Sequence, residues 1–391
     1  MARRLGHRAA EARGLWNIVV ANVYGAGDVA RAVEAGEASL EIARELADRE
    51  QLAFTLNDVS RAHMAAGDLE IAELRLEEAR NLWEGLDNRP MLAENRTIAG
   101  SIRLLSGDHA AAMAEGQRAL AIASSIDNAW GQAAASITVY RCRLDQGDIG
   151  PAIEEIHRTL ELGERGGFVI AGVLARADLA RTLVDLGDLR RALELADRAV
   201  DLALQNSPVF TALASIPKAE VLRAMGRHAE ANEALRDIDV RGYPEPDRTF
   251  SMTAQRLTAS ALALDADDPL RAETIATELV EDLRRGGVRI LVAEGLLARA
   301  RARISSGTLE QAEADLAAAV EEADRLGERR VLWRALALTA DLRDRVGAAG
   351  ADDLRRRAAG IVDGVAAGIS DEDLRASFLA RDDVVALTGG S

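Results

Sequence analysis

Apolar residues recur along this chain at three- and four-residue steps. Between Leu179 and Ala203 the pattern is plain: Leu179, Leu183 and Leu186 form one stripe, Gly187-Asp188 interrupts it, and Leu189, Leu193, Ala196, Val200 and Ala203 form a second. Such steps gather side chains on one face of an α-helix, so the segment predicts two helices joined by a short turn. The turn recurs at a fixed distance. Gly27-Asp28, Gly67-Asp68, Gly107-Asp108, Gly147-Asp148 and Gly187-Asp188 stand forty residues apart, and Gly226-Arg227, Asp267-Asp268, Gly307-Thr308 and Gly347 continue the series in weaker form. A fixed period over nearly the whole chain is the mark of a repeat architecture.

Two further columns follow the same period. Five residues after each mark stand Ala32, Ala72, Ala112, Ala152, Ala192, Ala231, Ala272 and Ala312; seven before it stand mostly small residues, among them Ser60, Gly100, Ala180, Ala219, Ser260, Ala300 and Ala340, with Val20 and Tyr140 as exceptions. Small residues are needed where helix axes cross closely, so the columns predict two close helix contacts per repeat. Glycine tolerates the left-handed conformation that ends a helix, and the aspartate behind it can accept from the unsatisfied amides of the next first turn. Each repeat is therefore expected to be a helical hairpin with helices of about 17 residues, or about 25 Å. Hairpins of this kind bury their apolar stripe by stacking.

The run Gly187-Asp188-Leu189-Arg190-Arg191-Ala192-Leu193-Glu194-Leu195-Ala196-Asp197-Arg198-Ala199 closely resembles the second-helix signature of tetratricopeptide repeats, with Gly-Asp, Ala and Ala at that family's offsets. The resemblance implies an all-α chain: a right-handed α-solenoid of about nine hairpins closed by a C-terminal capping helix. The forty-residue period departs from the family's usual period of about 34, and the proline that usually closes each unit is mostly absent. Longer helices of this type resemble the C-terminal sensor regions of bacterial LuxR-type regulators and cyclase-ATPase fusions, as does the tail Asp373-Leu374-Arg375-Ala376-Ser377-Phe378-Leu379-Ala380-Arg381.

The pattern breaks at 237–250. Asp237 to Pro246 contains Gly242, Pro244 and Pro246 and cannot continue a helix, while Pro217 should kink the sixth first helix or delay its start. The seam is either a hinge or groove lip, or a degenerate repeat. One continuous solenoid is expected, with repeats 1–6 over 1–240, the seam and repeats 7–8 over 241–347, and a last partial repeat with the capping helix over 348–391. Ser370 with Asp373 predicts the start of that last helix, which should run to about Leu387.

Composition supports the helical assignment and narrows the chemistry. Aromatic residues make up only 3% of the chain, which disfavours a β-sandwich or barrel. A net charge of −16 repels phosphate backbones and anionic headgroups, so no direct nucleic-acid or membrane partner is expected. Lys218 is the sole lysine and lies outside any phosphate-binding loop, and Cys142 is the sole cysteine, best placed as a core filler. The histidines, His7, His63, His109, His157 and His228, lack metal-ligand spacing. Gly25, Gly27 and Ala30 mimic a dinucleotide fingerprint, but a helical stretch rather than a strand precedes them. No catalytic residue, metal or cofactor is therefore expected, and an enzyme is not. Without a leader or an apolar span in the sequence, a cytoplasmic location is the expectation.

What remains is the inner face. In tetratricopeptide proteins the first helices line a concave groove, and the resemblance places Arg61, Arg141, Arg181 and Arg301 there, six residues before their turn marks, with Asn17, Asn57, Asp58 and Asp178 nearby. An arginine row can grip carboxylates with forked, two-bond contacts, or it can be a solvated face paired with neighbouring acids. Arg103, Arg143, Arg303 and Arg343, two residues on, are expected to pack their stems elsewhere. The expected function is a non-enzymatic protein-interaction scaffold or sensor module of bacterial signalling that binds an acidic protein or peptide segment in the groove. Open solenoid ends leave self-association available. The alternative is an effector-sensing region of a signalling ATPase or transcription regulator, with Trp16, Tyr24, Trp83, Trp130, Tyr140 and Trp333 as the scarce rings for a small-molecule pocket.

Overall fold

The computed structural model describes residues 7–25, 27–206, 208–240 and 243–389; Met1 and, within the seam, Arg241 and Gly242 lie outside the described residues. Among the described residues there are helices and no strand. Nine consecutive hairpins follow one another. They are α1 (Arg8–Val23) with α2 (Val29–Glu45), α3 (Arg49–Ala66) with α4 (Leu69–Gly85), and α5 (Arg89–Leu105) with α6 (His109–Ser125). Next come α7 (Ala129–Gln146) with α8 (Ile149–Gly166), α9 (Val169–Asp185) with α10 (Leu189–Asn206), and α11 (Thr211–Ala224) with α12 (His228–Ala234). The last three are α13 (Asp247–Asp265) with α14 (Pro269–Arg285), α15 (Val292–Ser306) with α16 (Leu309–Leu326), and α17 (Arg329–Val346) with α18 (Ala351–Ala367). Two short helices, α19 (Glu372–Leu379) and α20 (Asp382–Thr388), close the chain.

A left-handed residue ends most of the helices, so the turn recurs at about twenty residues rather than forty. Within most hairpins glycine takes the left-handed position, as at Gly67 with φ +87°. Between hairpins it is taken by Ala47, Asp87 and Asp127, with φ of 54°, 52° and 50°, and by Gly167 and Gly327, with φ of 65° and 72°. The next amide then bonds back five residues: Asp48 N to Ala43 O at 3.0 Å, Asp68 N to His63 O at 2.9 Å, Asn88 N to Trp83 O at 3.1 Å. This bond satisfies a carbonyl that the helix end would otherwise leave open. The side chains of Asp28, Asp48, Asp108 and Asp188 cap the following helix, accepting from the amide three residues on at 3.0 to 3.1 Å, whereas Asp68 and Asp148 make no such bond.

The two small columns meet each other. All eight alanines of the first column are buried, at 0 to 1% exposure. Gly100 faces the Ala112 carbonyl, where an added Cβ would stand 3.4 Å from the oxygen, and Ser260 Oγ donates to the Ala272 carbonyl at 3.0 Å. In these repeats a single close crossing within the hairpin, rather than two separate ones, explains both columns.

The chain forms two compact units: Met1–Thr138 with Asp239–Phe250 and Arg285–Arg289, and Val139–Ile238 with Ser251–Arg284 and Ile290–Ser391. In the first, the core runs through Leu40, Leu56 and Trp83, and distant segments dock on the ends of α3 and α5. Arg248 Nη2 donates to Ala65 O at 2.9 Å, Arg289 N donates to Leu105 O at 2.8 Å, and Gly67 lies against Gly286. The described part of the seam is thus packed at Tyr243 and Arg248, not free. In the second unit, Gly150 N donates to Gly368 O at 3.1 Å, and Arg381 Nη1 donates to Val184 O and Asp185 O at 2.9 Å.

Two local expectations change. Pro217 does not mark the start of α11, which begins six residues earlier at Thr211 and runs through the buried proline. The last helix is capped by Asp371 rather than Ser370, with Asp371 accepting from Leu374 N at 3.0 Å, and it is split at Arg381, whose extended backbone lets its side chain reach the end of α9.

Gly67 and Gly307 share nearly the same left-handed backbone, φ +87° and +84°, but a Cβ at Gly67 would stand 3.0 Å from Gly286 Cα while Gly307 has open space. Gly307→Ala should therefore cost about 1 kcal/mol, and Gly67→Ala about 1–3 kcal/mol more, read as displaced urea midpoints.

Candidate functional site

In the first unit the expected groove residues have distinct fates. Trp16 Nε1 donates to Asp58 Oδ2 at 2.7 Å, and the Tyr24 hydroxyl donates to Asp58 Oδ1 at 3.5 Å. Burial pushes the Asp58 carboxyl up to about 6, against the Trp16 hydrogen bond and the Arg61 charge, which favour the carboxylate. Arg61 lies 5.7 Å from the centre of the Tyr24 ring and 3.5 Å from Glu94 Oε1. Asn57 is turned inward and accepts from Asn95 Nδ2 at 3.1 Å, while Asn17 faces solvent.

In the second unit Arg141 Nε donates to Asp178 Oδ2 at 3.0 Å, with the Tyr140 hydroxyl donating to the same oxygen at 2.9 Å, and Arg181 Nε donates to Glu220 Oε2 at 2.9 Å. Arg61, Arg141 and Arg181 thus each engage an acid on the next first helix: α3 to α5, α7 to α9, α9 to α11. Arg303 leans instead on its neighbouring second helices, with Glu273 and Asp315 both at 2.8 Å, and Arg103 pairs with Glu73 at 3.1 Å. Of the rings, Trp83, Tyr140 and Trp333 are buried in packing, while Trp130 is exposed. Cys142 is fully buried, and burial pushes its thiol up. No group of three or more metal-ligating side chains occurs among the described residues, and no helix among them is long and apolar enough to cross a membrane.

Arg301 is different. It faces a cavity of about 580 Å³ within the second unit, walled by the first helices α9, α11, α13, α15 and α17 and by Arg381–Asp383. The other arginines on this wall are all engaged. Arg223 stands 2.8 Å from Asp265, Arg334 stands 2.7 Å from Asp185, Arg381 stands 2.8 Å from Asp383, and Arg330 pairs with Glu294. Burial would raise the Asp185 carboxyl, but Arg334, Arg330 and Arg381 outweigh it and hold it down to about 2. Arg301 has no hydrogen bond or ion pair among the described residues. Its side chain is exposed to the open cavity, and the crowding of protein atoms around it, then the like charges of Arg334 and Arg223, lower its guanidinium from the usual arginine range.

No protein-family model and no curated protein sequence matches the chain. Solved structures do. A Rap protein complexed with Competence and Sporulation Factor aligns with a TM-score of 0.62 at 12% identity, over 93% of this chain and 99% of that one. The human IFIT1 dimer with PPP-AAAA aligns with a TM-score of 0.50 at 16% identity, over 97% and 91%. At such identities the likeness concerns fold alone, and it agrees with the succession of helical hairpins. The chain has the tetratricopeptide-like repeat fold.

Counting six residues back from each turn of a tetratricopeptide-like hairpin finds Arg301 but misses most of the wall around it. Arg330 and Arg334 stand near the start of α17, where the same count yields Asp341 instead, and Arg381 arrives from the C-terminal segment, outside the repeat. The spacing of Arg330 and Arg334, one helical turn apart and toward one side, is the signal that could have found them.

Two outcomes test these environments. Arg141→Ala leaves Asp178 without its guanidinium in a mostly buried place and should cost about 3 kcal/mol in chemical denaturation. Glu328, buried before α17, is pushed up to about 9 by desolvation and by the Asp145 and Glu294 charges. Its folded form keeps a proton that the unfolded chain releases, so stability falls as pH rises between about 5 and 9. Glu328→Gln should therefore gain on the wild type across that window, on the order of 3 kcal/mol by pH 8, in unfolding followed at several pH values.

Proposed function

We propose that this tetratricopeptide-like chain is a non-enzymatic interaction or sensor module in bacterial signalling or regulation, and that it holds an acidic protein segment against its first helices in the cytoplasm. The supporting observation is the second-unit cavity, where five successive first helices converge around an arginine that no carboxylate neutralises. A row of arginines already bonded to its neighbours holds the frame, and the unbonded one is left for a partner. The Rap protein of the same fold, complexed with Competence and Sporulation Factor, supports a bound factor as the natural use of such a frame.

The acidic balance of the chain sets it against polyanions, yet IFIT1 shares the fold and is solved with PPP-AAAA, so RNA retained from the lysate is scored beside protein. The full chain is immobilised and exposed to source-cell lysate at low and moderate salt, beside Arg301→Ala and the triple variant Arg61→Ala, Arg141→Ala, Arg181→Ala. A protein retained by wild type and lost from Arg301→Ala, and then rebound as a purified component, is the expected result. Retention of RNA alone, or turnover of a substrate that depends on a defined residue, would overturn the proposal.

A further inference from the structure

Of the arginines on the cavity wall, Arg301 is the one that bonds to no acid among the described residues. Its positive neighbours Arg334 and Arg223 repel it, and the acids that attract it, Asp383 and Glu294, are engaged by Arg381 and Arg330. A guanidinium in that position is short of one partner, and its planar fork matches one planar acid group with two parallel hydrogen bonds. A phosphate monoester fits less well. It carries up to two charges, and Asp185, Glu220, Glu294 and Asp383 on the same wall oppose the second.

The rest of the cavity speaks to the body that carries the acid. Its volume of about 580 Å³ far exceeds a lone carboxylate and falls within the range of small-ligand pockets, about 300–1,000 Å³. Val184, Leu257, Leu297 and Val331 line it beside the charged groups. The Arg381–Asp383 segment forms part of the wall, so the space is bounded by the chain's own C-terminal residues. An occupant of limited size, with an apolar body and one acidic end, matches this combination of charge, shape and volume.

We propose that the second-unit cavity is a carboxylate-binding site, in which one singly charged carboxylate on an apolar body is gripped by Arg301. This rests on the proposed binding role and names the chemistry of its ligand. The acid can belong to a small organic molecule or to the free end of a peptide, and the two sources are separable by experiment.

The test is titration calorimetry on the full chain with octanoate, octanol and octyl phosphate, and with the tetrapeptide acetyl-Leu-Ala-Leu-Ala as its free acid and as its amide. At least one free acid should bind, with its uncharged counterpart weaker by about tenfold or more. Saturation by octanoate but not by the peptide acid assigns the site to small acids; the reverse assigns it to peptide ends. Arg301→Ala should lose about tenfold or more in that affinity while its thermal midpoint stays level, because Arg301 bonds to no other described residue. Arg301→Lys, which keeps the charge but not the fork, should fall between the two.

Three results would overturn the carboxylate site: no binding of either free acid, tighter binding of octyl phosphate than octanoate, or equal binding by Arg301→Ala. If the lysate partner is still captured by Arg301→Ala while the free acids fail to bind, the binding role stands and the carboxylate site falls. If the free acids bind through Arg301 and no lysate protein is captured, the site stands and the protein-segment partner falls.

Discussion

Everything in this chain depends on how closely the two helices of a hairpin approach. The Ala112 and Ala272 carbonyls are met by Gly100 and by the Ser260 hydroxyl, so at these crossings the axes come together where nothing larger than serine intervenes. A larger side chain at either position would push the pair apart, and since each hairpin stacks on the next, the displacement would pass along the row. The buried alanine column follows from this constraint, and so does the placement of the first helices that surround the cavity.

Along that frame, charge is handled in two ways. Arg141 and Arg181 each reach forward to an acid on the next first helix, a bond that repeats with the architecture and fixes the spacing of neighbours. Around the cavity the same residue type is concentrated by three-dimensional packing: Arg334 and Arg330 share Asp185, while Arg381 sits with Asp383. Arg301 stands apart from both arrangements, since its place in the repeat resembles the bonded arginines but its neighbours are positive.

The hairpins were legible because they are local. Glycine at a left-handed turn and alanine at a crossing are demands made within about twenty residues, and each leaves its mark at a fixed offset. The finer step went unseen because the outer turns use alanine at Ala47, aspartate at Asp87 and Asp127, and glycine at Gly167 and Gly327, so no single residue type marks them. Of the candidate residues, Arg301 was found by its offset, but nothing in the sequence distinguishes it from Arg141, because the difference lies in which acids fold up beside each. Asn57 was out of reach for a similar reason: an asparagine on a first helix reads as polar surface until Asn95 is seen beneath it. The role of Arg381 depends on residues nearly two hundred positions away.

Those distant bonds have a consequence for how the molecule comes apart. A row of hairpins that touch only adjacent members can fray from its ends, with stability close to a sum over members. Here Arg381 is tied to the end of α9, Gly368 to Gly150, and Arg248 to Ala65. Each tie joins segments more than 180 residues apart in sequence, so a hairpin at the C-terminal end cannot melt without releasing a partner near the middle of the chain. Each unit should then unfold as a cooperative block and resist piecemeal truncation, and its assembly must wait for the late segments to be made.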